Sequence, residues 1–395
     1  MGNDISLDLA EFPKELKLIL LLIKLEDDEK VPANNKELFR DIDWKLFLRL
    51  ATHHRVHPLI YLLLKRMDQK FIPQYVIEAL YKEFCRNTFQ MLYLSREMEQ
   101  ISRLFAENSL RLLFLRGPVL AADLYKDISL RPSVDLDIFV PLNDLDKVDR
   151  LLRDIGYEKY EFFSTVLDEW KWRIHHLDYV HPQSKIKLEI HWRLNPGPGK
   201  EPSFIELWER KRISSLTSYP VYYLGKEDLF LLLVTHGSRH GWSRLGWLAD
   251  IDKIVKQKPD WARLYGLLKK YQCLHIGGQA LILSSQLLNT PVFEETKTLK
   301  AGKRSRRLAQ QALFYYKRMV NLHSDPVPEE VSSYHKRHLF ALMSNQQKFI
   351  FIMSLFYPYP MDAEILPLPK YLHFLYFPLR PVLWAWRKTR TNALP

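Results

Sequence analysis

The sequence predicts an α+β fold, a small mixed β-sheet flanked by N- and C-terminal helical parts. Three features of the chain carry this expectation. Residues 1–105 keep apolar residues at helical spacing; short apolar or alternating runs bounded by Gly and Pro replace that spacing from about 106; helical spacing returns near Lys226. The expected division is therefore 1–105 helical, 106–225 α/β core and 226–395 helical. A chain of 395 residues can bury a large core in two or three structural units, and 47% hydrophobic with 26% charged residues excludes a disordered chain.

Each element follows in order. The run over 16–25, broken by Lys17 and Lys24, reads as a first helix packed on the core and is too short to span a bilayer. Acids precede it, with no basic leader and no small-residue cleavage site, so no targeting segment is expected. In "DIDWKLFLRLATHHRVHPLIYLLLKRM", Trp44, Phe47, Leu48 and Ala51 share a helical face, and Pro58 marks a break or a start. The histidines of its turn, His53, His54 and His57, read as packing or a pocket wall. A long amphipathic helix is expected over 75–108, with no proline after Pro73. "SLRLLFLRG" then reads as a short strand ending at Gly117, followed by a helix over 118–125. "RPSVDLDIFV" is a second strand. "PLNDLDKVDRLLRDIGYE" is a helix with Asn143 or Asp144 near its start and Gly156 at its end. "SKIKLEIHWRL" is a strand with Lys187, Glu189 and His191 on one face and Leu188, Ile190 and Trp192 on the other. The aromatic tail "LHFLYFPLRPVLWAWRK" has a membrane-surface reading, but its spacing reads more readily as core.

The second strand holds the chemistry. Strand alternation aims Asp135 and Asp137 at one face, and Leu136, Ile138 and Val140 at the other. Two adjacent carboxylates repel each other unless a cation sits between them, and a hard divalent ion bound by oxygen is the usual solution. On this view, neutralising one of them relieves repulsion in the metal-free chain. Glu189 on a neighbouring strand is a candidate third carboxylate. Gly117 allows backbone to approach a phosphate, with Arg116, Arg131 and Ser133 placed to contact its oxygens. His236 and His240 lie four apart on one helical face, a metal-capable spacing without the glutamate of an HExxH motif.

Taken together, "LRGPVLAADLY", "RPSVDLDIFV", "GYE", "LEIHW" and "HGSRHGWSRLGWLADI", with helical flanks ending in "YLHFLYFPLRPV", resemble the uncharacterised bacterial nucleotidyltransferases distantly related to the DNA polymerase β-like superfamily. The resemblance runs over about 40–385. It implies a magnesium- or manganese-dependent transfer of a nucleoside monophosphate from a nucleoside triphosphate, such as ATP, with release of pyrophosphate. By the resemblance Asp135, Asp137 and Glu189 are the metal and catalytic ligands, and His236 and His240 line the cleft opposite the sheet. The chain departs from the superfamily at two points: Pro118 follows Gly117 where serine is usual, leaving Ser133 as its substitute, and Arg116 stands where lysine is commoner.

Lysine and arginine exceed aspartate and glutamate by 58 to 46, giving a net charge of +12 that suits an anionic partner. The densest cluster, "KAGKRSRR" with Lys300, Lys303, Arg304, Arg306 and Arg307, reads as a solvated helix start before it reads as a nucleic-acid patch. Nucleic acid is thus the less favoured partner, and the acceptor is a small molecule, peptide or protein. Cys85 and Cys273 lack zinc-ligand spacing and read as buried thiols of a cytoplasmic protein. Two alternatives stand beside this reading. One is a non-catalytic binding or scaffold protein on the same fold; the other, less favoured, is a metal-dependent glycosyltransferase, which normally begins with a βαβ nucleotide-binding region rather than about 105 helical residues.

Overall fold

A computed structural model describes residues 6–25, 36–67, 69–160, 165–322 and 326–391. The leader reading over residues 1–5 lies outside them. In chain order the elements are α1 (Lys14–Lys24), α2 (Trp44–His53), α3 (His57–Arg66), α4 (Gln74–Glu107), β1 (Leu113–Phe114), α5 (Pro118–Tyr125), β2 (Asp135–Phe139), α6 (Leu145–Asp154), β3 (Glu158–Lys159), α7 (Trp170–Arg173), β4 (His176–Val180) and β5 (Lys187–His191). There follow α8 (Phe204–Glu209), β6 (Arg212–Ser214), β7 (Val221–Tyr223), α9 (Lys226–Arg239), α10 (Leu245–Lys256), α11 (Trp261–Lys270), α12 (Leu274–Leu288), α13 (Glu294–Ala301), α14 (Lys303–Lys317), α15 (Glu329–Leu342), α16 (Asn345–Ser354), α17 (Pro360–Ile365) and α18 (Tyr376–Thr391). Among the described residues seven strands form one mixed sheet in the order β3-β4-β5-β2-β1-β7-β6, with helices before and after it in sequence. The fold is α+β, as the sequence predicts.

The chain forms two compact units, one of residues 1–137 and 205–342, the other of 138–204 and 343–395. In the first, Asp43 caps α2 by accepting from the backbone of Lys45 and Leu46. The long helix α4 buries Val76, Leu80, Asn87, Met91, Leu94, Met98, Ile101 and Phe105, a single stripe at spacings of three, four and seven residues. Helix α12 is buried nearly all round, consistent with its even apolar character, and α14 packs on it. Strand β1 pairs in parallel with β7 through Phe114 and Tyr223, and the amide of Leu115 donates to the carbonyl of Asp137 at 2.9 Å. The ladder of β1 is shorter than the apolar run predicts, because Gly117 turns the chain into α5.

In the second unit β4 and β5 pair antiparallel with Asp178 opposite Glu189, β3 pairs antiparallel with β4, and the amide of Val140, just past β2, donates to the carbonyl of His191 at 2.9 Å. The C-terminal helices join this unit through polar anchors. Arg173 lies 3.4 Å from the centre of the Tyr359 ring and donates to the Tyr357 carbonyl, and the buried Asp362 accepts from Arg380. Tyr376 and Leu383 pack with Val166, Ile365 and Leu379. The core reading of the aromatic tail is corrected here: Phe374, Phe377, Trp384 and Trp386 are exposed. The helix docks only a narrow stripe, so spacing that looks amphipathic in sequence leaves most of its aromatic rings outside. Among the described residues no helix is long and apolar enough to cross a membrane.

Candidate nucleotide and metal site

Strand β2 begins at the partly exposed Asp135, and Asp137 beside it is buried, while Leu136, Ile138 and Val140 fill the opposite face. Burial of Asp137 demands compensation. Arg116, at the end of the first strand segment, supplies it: Nη2 donates to Asp137 Oδ1 at 2.6 Å. The same guanidinium donates from Nη1 to His236 Nε2 at 2.8 Å. An imidazole that accepts from arginine must be neutral, and burial, reinforced by Arg116, pushes the His236 pKa well below its usual value. The His236 and His240 rings lie 4.5 Å apart between centres, tilted by 47°, and Trp247 meets both, at 5.1 and 5.4 Å. Their spacing on α9 therefore serves a packed aromatic group that also holds Arg116. Next to His236, a Cβ on Gly237 would come within 2.4 Å of the Trp242 ring, so only glycine lets the Trp242 loop close against α9.

The other expected phosphate contacts are placed differently. Arg131 is buried and donates from Nε and Nη2 to both oxygens of Asp250, at 2.9 Å each for the closest pairs, while Tyr125 donates to Oδ1 of the same carboxylate at 2.8 Å. Burial opposes the charge of Arg131, and Asp250 more than compensates, raising its pKa. Arg131 thus braces α10 rather than standing open to a ligand. Ser133 donates to the Asp135 carbonyl at 3.3 Å and sets the entry to β2. Gly117 has φ +82° and ψ −144°, a backbone region that side chains avoid, which lets the chain turn sharply beside Leu136 and the Asp135 carbonyl.

Two arginines outside the sequence expectation complete this part of the site. Arg55, itself at φ +56°, is held down at a pKa of about 10 by burial and by Arg244, against the pull of Asp135. Burial also lowers Arg244, again opposed by Asp135. Four arginines, Arg55, Arg116, Arg131 and Arg244, are electrostatically linked around three carboxylates, those of Asp135, Asp137 and Asp250. The surplus is positive and partly desolvated.

Glu189 lies in the second unit, on β5. Lys187 Nζ donates to Glu189 Oε1 at 2.8 Å and stands 3.1 Å from Asp178, and His191 Nε2 is 3.4 Å from Glu189 Oε2. Burial opposes the charge of Lys187, but Glu189 and Asp178 raise its pKa. Two triads here, His175 with His176 and His191, and His176 with Asp178 and Glu189, each bring possible ligand atoms within 4.8 Å of one another. This unit therefore holds groups able to bind a metal ion.

A family model described as an uncharacterised nucleotidyltransferase matches residues 40–289, more than half of the chain. The chain belongs to that nucleotidyltransferase family. No curated protein and no solved structure matches it. The stretch matched by the nucleotidyltransferase model contains Asp135, Asp137, Glu189, Arg116 and His236, and also Arg55, Arg244 and Asp250, which sequence reasoning did not assign to the site. Arg244 and Asp250 fall within "HGWSRLGWLADI", so a signal for them was present. Arg55 gave none, because its position depends on a left-handed backbone turn between α2 and α3.

Proposed function

We propose that the chain is a divalent-metal-dependent nucleotidyltransferase that moves a nucleoside monophosphate from a nucleoside triphosphate to an acceptor hydroxyl or phosphate, releasing pyrophosphate. The acceptor is a small molecule, peptide or protein. The observation that carries the reading is the excess of desolvated arginine beside the two aspartates. Burial disfavours the charged state of both Arg55 and Arg244, and Arg244 disfavours that of Arg55 further, a cost that a polyanionic triphosphate would relieve.

The donor set fits a hard cation, since Asp135 and Asp137 offer carboxylate oxygens on one strand face, and Glu189 is proposed as the third carboxylate. Magnesium or manganese held there would supply Lewis-acid neutralisation of the phosphate oxygens. In this reading Arg55 and Arg244 bind the triphosphate, Arg116 stays oriented by neutral His236, and Glu189 takes the proton of the acceptor hydroxyl. The segment 106–225 is proposed as the catalytic part, with 1–105 and 226–395 supporting it.

The test is pyrophosphate release from each of the four triphosphates, with magnesium or manganese, against pooled metabolites, peptides and proteins. Turnover lost in Asp135→Asn supports the proposal. Glycosyl transfer from a nucleotide sugar, with release of nucleoside diphosphate and no turnover of triphosphates, would instead assign a glycosyltransferase. Triphosphate binding without turnover would favour the non-catalytic reading, which the Arg116–Asp137 ion pair also suits, since it neutralises a metal-ligand carboxylate with a protein cation.

A further inference from the structure

The outer face of α18 carries no polar residue over its first ten positions. Tyr376, Arg380 and Leu383 form the docked stripe, with Arg380 bound to the buried Asp362. The remainder of that stretch is Phe377, Pro378, Leu379, Pro381, Val382, Trp384 and Ala385, followed by Trp386. Val382 is 63% exposed, Trp384 50% and Trp386 54%, and just before the helix Tyr371 is 77% and Phe374 58% exposed. At 100° per residue Phe377 and Trp384 project on one side of the docked stripe, Val382 and Trp386 on the other, and Pro378, Pro381 and Ala385 point directly away from it. An ordinary surface helix puts its charges there.

The charge pattern says what covers this face. From Ile365 to Pro395 the sequence has no Asp or Glu, yet carries Lys370, Arg380, Arg387, Lys388 and Arg390, the last three directly after the apolar stretch. A second copy of the chain would bring the same cations and no acid to the contact, which disfavours self-association. Exposed Trp, Tyr and Phe beside a basic turn match the interface of an anionic bilayer, where aromatic rings settle at headgroup depth and Lys or Arg meet the phosphates. Because α18 is not long and apolar enough to cross, the mode is peripheral. The geometry points to α18 and the residues before it from Tyr371 as a docking surface for an anionic phospholipid bilayer.

The experiment is co-sedimentation of the full chain with phosphatidylcholine vesicles, with and without phosphatidylglycerol. Binding is expected only with the anionic lipid, weakening at high salt. Replacing Arg387, Lys388 and Arg390 by Gln should weaken it about fivefold per cation. Trp384→Glu with Trp386→Glu should abolish it and leave the melting temperature unchanged, because both rings are exposed. Trp384→Phe with Trp386→Phe should retain vesicle binding but lose most fluorescence quenching by brominated phosphatidylglycerol; this pair keeps the test valid if the glutamate variant does not fold. The inference is overturned if the wild type does not sediment with anionic vesicles at low salt, if the glutamate variant folds and binds equally, or if the phenylalanine pair leaves quenching unchanged. Concentration-dependent dimerisation abolished by the same glutamate variant, without lipid binding, would assign the face to a second copy.

Discussion

Asp137→Asn separates the chemical from the structural role of the second aspartate. From the strand pattern alone, neutralising one of two facing carboxylates should relieve repulsion and stabilise the protein. The structure reverses the sign. Asp137 is buried and Arg116 donates to it at 2.6 Å, so the substitution strips a guanidinium of its charged partner. Breaking a fully buried ion pair by removing one partner costs about 3–5 kcal/mol. Here the Arg116 side chain keeps 18% of its surface in contact with solvent, and the asparagine oxygen can still accept from it. The loss should therefore fall nearer the range of a single charged hydrogen bond, about 1.5–3 kcal/mol. Activity should drop further, by about 100- to 1,000-fold, equivalent to roughly 3–4 kcal/mol of transition-state stabilisation. Scanning calorimetry with pyrophosphate release on the same preparations measures both, and Asp135→Asn, at a more exposed position, should lose activity with a smaller fall in stability. A mutant that melts at or above the wild-type temperature would sink the pairing argument. One that melts lower but turns over normally would leave Asp137 a structural residue.

Asp250→Asn should destabilise more than Asp137→Asn, by about 3–5 kcal/mol, because it strands Arg131 where little water reaches; adding Arg131→Met should restore much of that in chemical denaturation. Acidification should unfold the first unit early. His57 is buried with its pKa lowered from 6.5 to about 4, so the unfolded chain takes up the proton first: its stabilising contribution is whole above pH 6.5 and is lost as pH falls toward 4. At about 1.36 kcal/mol per pH unit that is of order 3 kcal/mol. Burial also lowers His54, His236 and His338, which act in the same direction. Denaturation curves across that range should show stability falling with pH, and His57→Gln should flatten the fall; a wild type equally stable at pH 4.5 and 7 would refute it.

Elements whose local pattern and burial agree were readable from residues alone. The helix over 118–125 and the long helix begun just after Pro73 fall where proline and periodicity put them, and the two aspartates share a strand that is apolar on its other side. Side-chain pairing was not readable, because it depends on which distant elements meet. Arg116 and Arg131 looked alike as phosphate contacts beside a glycine turn. In the fold one is drawn to Asp137 and the other to Asp250, 119 positions away. His236 and His240 had a spacing that admitted a metal, and only the positions of Arg116 and Trp247 reveal what surrounds them. The aromatic tail misled for a related reason: periodicity reports that a helix has faces, not how many of them find cover.

The first unit is discontinuous, and that fixes the order in which a growing chain can complete it. Phe114 finds its parallel partner on β7 only when Tyr223 has been made, 109 residues later, and the amide of Leu7 waits for the side chain of Gln286. A nascent chain halted before residue 205 would expose the part of α1 that α12 covers and the part of α4 that packs on β7. Synthesis therefore leaves a long interval during which the N-terminal helices are vulnerable to misassociation and to chaperone capture.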